Sequence, residues 1–352
     1  MSDPPALILY GAFDRHNLGD ILLAHVAARE VSRPVVFAGL AERDLSEWGG
    51  HKVRALATLA AEWGERRADL LHVGGELLTC ESYEAAVMLQ TPEDAAAVVA
   101  RLDADPATRE RWASEALGSA AHLPYLAAKS LFRNPGRFEY RAVGGVELDR
   151  LPPASRAEAL ARLREADAVG ARDRITQAQL AAAGIAARLE VDPVSRVATL
   201  FAGRIRRRAE QGEVARVRAT FPGGYVAAQF AAEYGDDASL ERLAAGLAAL
   251  ADGRGLVLFR AGAAPWHDDL GVYRRLAGHL NGRHVHLFHS LDVWDICALI
   301  ANAQGYSGGS LHGGIIAAAF GVEALPFPLP ARTGKQAAYA RTWWADSSFK
   351  AA

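Results

Sequence analysis

Short apolar runs alternate with longer segments of helical periodicity along most of this chain. The run ALILYGAF (residues 6–13) precedes NLGDILLAHVAAREV (17–31), in which apolar residues recur at helical spacing. A continuous apolar run of this length is typical of a buried strand, and the following segment is typical of a helix. This strand–loop–helix order predicts the first unit of a parallel α/β sheet.

The same alternation continues through two halves of the sequence. Strands are predicted at 34–40, 68–78, 140–148 and 188–194, with a strand, turn and helix in 166–185; the second half has strands at 223–230, 255–262 and 284–290 and helices at 238–252, 269–281 and 292–303. Strands that alternate with helices form βαβ units. The pattern predicts an α/β protein with two Rossmann-like domains, each built on a parallel sheet.

The chain length agrees with two domains, since 352 residues exceed the usual size of one. We place the N-terminal domain at 1–200 and the C-terminal domain at 221–330, with a hinge near 195–222. An Ala/Glu/Arg-rich segment at about 80–137 interrupts the strand rhythm and predicts a helical insertion. Residues 331–352 predict a C-terminal helix that could pack back on the first domain.

Composition and charge say more about the cellular location and the binding partners of this protein than about the reaction it performs. A net charge of −2 gives no general attraction to nucleic acid or anionic membranes, and no stretch approaches the ~20 apolar residues of a membrane span. The arginine run at 204–218 contains acidic residues and no aromatic ones, which favours a solvated helical connector over a nucleic-acid stripe. Cys80 and Cys297 lie in apolar contexts and predict buried free thiols. We therefore expect a cytoplasmic protein.

Glycine-rich loops follow the predicted strands in both halves. Ligands of doubly wound sheets bind beyond the carboxyl ends of the strands, so these loops predict a cleft between the two domains. The loops lie at 10–20, 73–77, 144–147 and 170–174 in the first half, and at 260–267 and 306–314 in the second.

The loop YSGGSLHGG (306–314) is best suited to an anion. Gly308 and Gly309 would permit close backbone approach and positive φ, and Ser310 could cap the helix that follows. A helix N-terminus binds phosphate or carboxylate, and His312 in its first turn could donate a proton beside it. A glycine-rich turn with a surface histidine would leave the same pattern.

Other polar residues stand at strand ends and helix starts. Asn17 and Asp20 in NLGD open a helix, where capping alone would also explain them. Arg172 in GARDRIT and Arg260 in LVLFRAG each stand at the end of a predicted strand. Either guanidinium could form bidentate hydrogen bonds to a carboxylate or phosphate, or it could lie exposed at the surface. Asp173 would hold Arg172 or cap the next helix.

His267 in PWHDD stands beside two aspartates, so a metal site is conceivable. An N-cap for the next helix is favoured because no second cluster has ligand spacing. The chain has no G-x-S-x-G, Walker A or C-x-x-C motif, and GAFDRHNLG departs from G-x-G-x-x-G.

Taken in order, these segments resemble the polysaccharide pyruvyl transferase family. The resemblance is carried by NLGD, HVGGELL, ARDRITQAQLAAAGI with EVDPV, and LDVWDICALIANAQGYSGGSLHGGIIAAAFGV. It spans nearly the whole chain and is weakest at 80–137. It implies two facing Rossmann-like domains, similar to GT-B glycosyltransferases, and transfer of the pyruvate unit of phosphoenolpyruvate to sugar hydroxyls as a ketal.

The resemblance also implies roles for particular residues. His312 matches the family's proposed general acid, and Arg172 matches an arginine expected to bind phosphoenolpyruvate. Ser310 stands where many members have arginine, for which Arg260 could compensate; many members also have proline where this chain has Glu323. The donor-binding prediction comprises Arg172, Arg260, Gly309, Ser310 and Gly313, and the acceptor or cleft prediction comprises Asn17, Asp20, Gly75 and Glu76.

The first domain would take the acceptor and the second the donor. No cofactor or metal is demanded by this scheme, and a lipid-linked acceptor would bring the protein to a membrane surface. Two alternatives stay open. One is a GT-B nucleotide-sugar glycosyltransferase, disfavoured because its Glu-x₇-Glu-like pattern is missing near Glu323. The other is a non-catalytic member that binds an acidic metabolite.

Overall fold

The structure is a computed structural model that describes residues 6–280, 284–330 and 334–344. The chain folds as two compact units. The first unit comprises Met1–His16 and Asp20–Pro193, and the second comprises Asn17–Gly19 and Val194–Ala352. The division falls before the predicted hinge, and a short segment near the N-terminus belongs to the second unit.

The first unit is built on an eight-stranded sheet. Its strand order is β3-β4-β2-β1-β5-β6-β7-β8, and every pair is parallel except β3 with β4. The central strands β1 and β5 are buried along their whole length, as expected for continuous apolar runs in a parallel sheet. The strands are β1 (Leu7–Tyr10), β2 (Val35–Gly39), β3 (Arg43–Asp44), β4 (Lys52–Ala55), β5 (Ala68–His72), β6 (Pro135–Val143), β7 (Ala168–Ala171) and β8 (Arg188–Leu189).

Helices connect these strands, and three consecutive ones form the predicted insertion. Thr91 and Asp105 cap the second and third of these, each followed by proline at the first helical position. The helices are α1 (Leu18–Glu30), α2 (Leu56–Trp63), α3 (Ser82–Met88), α4 (Pro92–Leu102), α5 (Pro106–Leu117), α6 (Pro153–Glu165) and α7 (Arg174–Ala182). The helical part of the insertion ends at Leu117, well before the predicted limit at 137.

The second unit contains a five-stranded parallel sheet of order β11-β10-β9-β12-β13. Its strands are β9 (Tyr225–Gln229), β10 (Gly255–Leu258), β11 (Val285–Leu287), β12 (Gly305–Gly308) and β13 (Glu323–Ala324). Its helices are α8 (Val197–Ala209), α9 (Gly212–Thr220), α10 (Asp237–Ala251), α11 (Leu270–His279), α12 (Val293–Ala301), α13 (Leu311–Ala319) and α14 (Gly334–Trp343). The fold class predicted from the sequence, α/β with parallel sheets, is confirmed.

The predicted C-terminal helix is present as α14, within the second unit. The other residues assigned to it, 331–333 and 345–352, lie outside the described part of the chain. Its packing against the first domain stays a prediction.

The arginine run at 204–218 forms the second half of α8 and most of α9. Arg208 binds two carboxylates of the α12 region, Asp292 at 3.0 Å and Asp295 at 2.6 Å. The Arg204 guanidinium lies 4.1 Å from the centre of the Trp294 ring. These arginines therefore hold α8 against α12, where the sequence suggested a solvated connector.

Both cysteines are buried and free, as the sequence predicted. Among the residues that the structure describes, no helix combines the length and the apolar character that a membrane crossing would need.

The order of strands reverses at one place in each sheet. In the first sheet the reversal lies between β1 and β5, and in the second between β9 and β12. Ligands of doubly wound sheets bind at the carboxyl ends of the strands that flank such a reversal. The residues that follow these four strands are therefore candidates for binding a ligand.

Candidate active site

In the second unit, the chain passes from β12 directly into α13. Ser310 is the N-cap of this helix, and its Oγ accepts a hydrogen bond from the Gly313 amide at 3.1 Å. The Tyr306 hydroxyl donates to the Ser310 carbonyl at 3.1 Å and so fixes the turn from the other side. His312 is the second residue of α13, close to the positive end of the helix dipole.

Gly308 and Gly313 in this turn are required by side-chain packing and not by backbone conformation. Neither Gly308 nor Gly309 has positive φ, so the predicted need for it is corrected. A Cβ on Gly308 would lie 2.7 Å from the Tyr306 hydroxyl, and one on Gly313 would overlap the same hydroxyl. These two positions must be glycine for Tyr306 to reach Ser310.

His312 lies against a segment from near the N-terminus. The Leu18 amide donates to the Ala261 carbonyl at 2.8 Å, and Asn17 forms a β-bridge with Gly262. A Cβ on Gly19 would overlap Nδ1 of His312, so only glycine lets the imidazole lie there. The structure thus brings together, within the second unit, the Asn17–Gly19 part of NLGD and the histidine that the sequence singled out separately.

Asn17 also performs the predicted capping. Its Oδ1 accepts from the Gly19 amide at 3.0 Å, which satisfies a donor in the first turn of α1. Asp20 belongs to the first unit, where its Oδ1 would lie 3.0 Å from a Cβ on Gly75. Asn17 and Asp20 of NLGD therefore belong to different units.

The turn from β12 into α13, residues 308–313, is called the His312 elbow below. A buried polar pair lies beside this elbow, at the reversal point of the second sheet. Gln229 ends β9, and its Nε2 donates to both carboxylate oxygens of Asp268 at 2.9 Å. Asp268 also accepts from the Ala261 amide at 2.6 Å. Burial raises the pKa of Asp268 to about 7, although these hydrogen bonds and the positive charge of Arg260 oppose the shift.

Arg260 follows β10 and lies close enough to Asp268 for its charge to act on that carboxyl group. Its Nε is buried and has no hydrogen-bond partner among the described residues. The arginine is therefore part of the Asp268 cluster at the carboxyl edge of the second sheet.

In the first unit, Arg172 lies at the centre of a buried ion cluster. Its side chain is 2% exposed and binds Glu76 at 2.6 Å and Asp192 at 3.5 Å. A Cβ on Gly144 would overlap the guanidinium, so this glycine makes room for it. The cluster joins the loops that follow β5, β6, β7 and β8, because Gly75 and Val143 also form a β-bridge.

The partners of Arg172 bear on its predicted role in binding the donor. Two carboxylates of the chain already neutralise the guanidinium, so it holds four loops of the first unit together. Asp173 does not pair with it but caps α7, accepting from the Thr176 amide at 2.8 Å. Binding of phosphoenolpyruvate by Arg172 stays a prediction.

The reversal point of the first sheet holds a further polar group that the sequence did not single out. Arg15 donates to the Tyr125 hydroxyl at 2.5 Å, and that hydroxyl donates to Asp14 at 2.8 Å. Asp14 also accepts from the Leu40 amide at 2.6 Å. Tyr125 is supplied by the segment after the helical insertion, which explains why the local sequence gave no signal.

The PWHDD segment is divided between two roles. Asp269 is the N-cap of α11 and accepts from the Val272 amide at 2.8 Å, as the favoured interpretation predicted. Asp268 enters the buried cluster with Gln229. Within the described ranges, no group of three or more His, Cys, Asp or Glu side chains is arranged to hold a metal ion.

Sequence reasoning also missed Gln229 and its pairing with Asp268. A glutamine at the end of the otherwise apolar strand GGYVAAQF was a usable signal, because a buried amide needs a polar partner. The partner itself lies 39 residues away and could not be identified from spacing.

Comparison with known proteins agrees with this architecture. The family model described as polysaccharide pyruvyl transferase matches residues 146–329, more than half of the chain. No curated protein sequence matches the chain significantly.

Among solved structures, the S. aureus MnaA–UDP co-structure has a TM-score of 0.51 and 11% sequence identity, covering 91% of this chain and 78% of that one. UDP-GlcNAc 2-epimerase from Methanocaldococcus jannaschii has a TM-score of 0.48 and 12% identity, covering 91% and 82%. At this identity the MnaA likeness shows the fold alone, which is the GT-B-like α/β class.

Proposed function

Because the chain belongs to the polysaccharide pyruvyl transferase family, we propose that it transfers the pyruvate unit of phosphoenolpyruvate to hydroxyls of a sugar or polysaccharide precursor. The product is a ketal, and phosphate is released. The observation that supports this most is the position of His312, in the first turn of α13 at the reversal point of a parallel sheet. A proton donor and an anion-binding helix end are what this chemistry requires.

The reaction needs one well-placed acid. Protonation of the methylene carbon of phosphoenolpyruvate gives an oxocarbenium-like centre, which a sugar hydroxyl attacks. The C–O bond to phosphate breaks, phosphate leaves, and a second hydroxyl closes the ketal, so the two hydroxyl protons balance the one added to carbon and the one carried away by phosphate. His312 is proposed as the acid, and the first amides of α13 as donors to the anionic groups.

The Arg260 cluster and the Arg172 cluster are proposed to have different roles in donor binding. Arg260, in the same unit as His312, is proposed to add positive charge near the donor. Arg172 is proposed to act on the donor only through the loops that it holds together, since its own guanidinium is paired with Glu76 and Asp192. The proposed reaction takes phosphoenolpyruvate as its donor substrate and demands no cofactor or metal.

The test compares the native chain with His312→Gln and with a matched control, His279→Gln, at the exposed end of α11. Pyruvyl transfer is followed as phosphate release from phosphoenolpyruvate with a panel of pyranosides and oligosaccharides. Loss of a general acid should lower the rate by about 10²–10⁴-fold, while binding of phosphoenolpyruvate in a thermal-shift assay changes little. His279→Gln should behave as the native chain.

Three results would contradict the proposal in different ways. Full activity in His312→Gln would remove the histidine from the mechanism. Stabilisation by UDP but not by phosphoenolpyruvate would favour a nucleotide-sugar glycosyltransferase. Tight binding of phosphoenolpyruvate without transfer to any acceptor would indicate a non-catalytic member.

A further inference from the structure

The side chain of Gln229 is held in one orientation. Its residue is 4% exposed, and its Nε2 donates to both oxygens of Asp268. Both oxygens accept from the amide nitrogen, and Asp268 Oδ2 also accepts from the Ala261 amide, so the nitrogen of Gln229 faces Asp268. The amide oxygen Oε1 therefore faces the other way.

That oxygen is buried and has no hydrogen-bond partner in the part of the chain that the structure describes. Buried polar atoms in folded proteins nearly always have a partner, and an exception points to a group that the protein alone does not supply. Asp268 keeps the oxygen in this position, at the point where the strand order of the second sheet reverses.

Gly309 borders the same oxygen. A Cβ on Gly309 would meet Gln229 Oε1 at 4.0 Å and no other described atom within 4 Å. Its φ is not positive, so the backbone does not require glycine. Unlike Gly308 and Gly313, this position is glycine without a packing or conformational reason in the described chain, and the site that a Cβ would occupy is left empty, 4.0 Å from Oε1.

We propose that the space over Gly309 is a hydroxyl-binding subsite, in which Gln229 Oε1 accepts a hydrogen bond from the carbohydrate and Asp268 orients the amide. The assignment to a hydroxyl follows from the chemistry of Oε1, which can only accept. The ionised phosphate and carboxylate of phosphoenolpyruvate also only accept, so they would repel it. In the reaction proposed above, on which this inference rests, the sugar is the reactant that brings an O–H group.

The subsite lies three residues before His312 on the same elbow. A sugar hydroxyl bound to Gln229 would therefore be held near the proposed acid. This places at least part of the acceptor in the second unit, which the sequence had predicted to take the donor alone. Asp268 acts here as a positioning residue, because it touches the amide and not the substrate.

Gly309→Ala tests the subsite directly. The added methyl fits the folded chain, since its nearest described neighbour would be 4.0 Å away, but it fills the space that the hydroxyl needs. Gly278→Ala, in α11, is the matched control, because a Cβ there meets no described atom within 4 Å and its φ is not positive. Both variants should melt close to the native temperature.

Binding is measured on the full chain by saturation-transfer NMR and calorimetry. The probes are methyl glucoside, methyl galactoside and methyl mannoside on one side, and inorganic phosphate and phosphoenolpyruvate on the other. Gly309→Ala should weaken pyranoside binding by about tenfold or more, as expected for a lost hydrogen bond with steric exclusion, and leave phosphate binding nearly unchanged. Gln229→Met, which keeps the side-chain length and removes the acceptor, should do the same.

The outcomes separate this inference from the proposed function. Pyranoside binding that is lost in both variants, in a protein that does not bind phosphoenolpyruvate, would support the subsite and contradict pyruvyl transfer. Native protein that binds none of the three pyranosides, or Gly309→Ala that binds them as tightly as the native chain, would overturn the subsite. Loss of phosphate binding in Gly309→Ala would also overturn it, since the space would then serve the donor anion.

Discussion

The Arg172 cluster and the His312 elbow both lie at the carboxyl ends of parallel strands, yet they are built in opposite ways. Around Arg172 the chain supplies its own counter-charges, Glu76 and Asp192, and leaves the guanidinium almost without exposed surface. Around His312 it supplies a capped helix end, glycines and a buried amide oxygen whose hydrogen bond is not made within the described chain. A charged residue at a strand end is therefore not by itself a sign of a ligand.

The difference lies in which groups are satisfied. A buried charge must be paired, and once two carboxylates pair it, its contribution is to loop geometry. A buried acceptor without a partner is costly, and it is retained where something from outside completes it. Variants at Arg172, Gly19 and Asp268 separate these two situations, from the largest expected effect to the smallest.

Arg172→Ala should act mainly on stability. Removing the guanidinium takes the positive charge away from Asp192, which is buried, and from Glu76, which is 26% exposed. This should cost about 3–5 kcal/mol in the free energy of unfolding. Arg188→Ala is the control, because that side chain is 74% exposed and its 3.6 Å pair with Glu190 should contribute less than about 1 kcal/mol. Urea unfolding curves measure both.

A variant Arg172→Ala that unfolds at the native urea concentration but no longer binds phosphoenolpyruvate would reverse the comparison. The arginine would then be a direct ligand group, as the family resemblance implies. Loss of activity alone would not distinguish the two roles, since a destabilised first unit would also lose it.

Gly19→Ala should act on activity. The added Cβ would overlap the His312 imidazole, which would have to leave its position. Misplacing a catalytic group by about 1 Å can lower the rate by about 10²-fold. Rates of pyruvyl transfer are compared with those of Gly203→Ala, where the nearest described atom is the Arg207 guanidinium at 3.8 Å. Native rates in Gly19→Ala would show that the observed position of His312 is not the catalytic one.

Asp268 should make stability depend on pH. Its pKa in the folded chain is raised to about 7 by burial, so between about pH 4 and pH 7 the folded state holds a proton that the unfolded state has lost. The stabilising contribution is complete below the unfolded pKa and is lost as the pH rises through the folded pKa. The expected slope is at most about 1.4 kcal/mol per pH unit.

Asp268→Asn should remove this slope, because asparagine does not titrate. Thermal unfolding of the native chain and the variant from about pH 4.5 to about pH 8 gives the comparison. The variant should gain stability relative to the native chain as the pH rises. Parallel curves would show that Asp268 is ionised throughout, so that the Gln229 amide is held by a carboxylate at every pH.

Much of the fold could be predicted from the sequence because its signals are local. The run ALILYGAF contains β1, which covers four of its eight residues, and NLGDILLAHVAAREV became α1 at nearly the predicted limits. An apolar run and a helical period each depend on neighbouring residues alone. Ser310, Asp269 and Thr91 cap the helices that follow them for the same reason. The two-residue strand β3 went unpredicted because so short a segment carries no period.

For the candidate site, the sequence alone determined which strand ends carry glycine, histidine and arginine, and the order of motifs that identifies the family. Only the tertiary structure decided that Arg172 is neutralised by Glu76 and Asp192, that Gly19 lies against His312, and that Gln229 shares a buried cluster with Asp268. Caps and periods are set by residues within one turn or strand. Ion pairs and close approaches are set by groups far apart in the chain, whose meeting depends on the packing of whole elements.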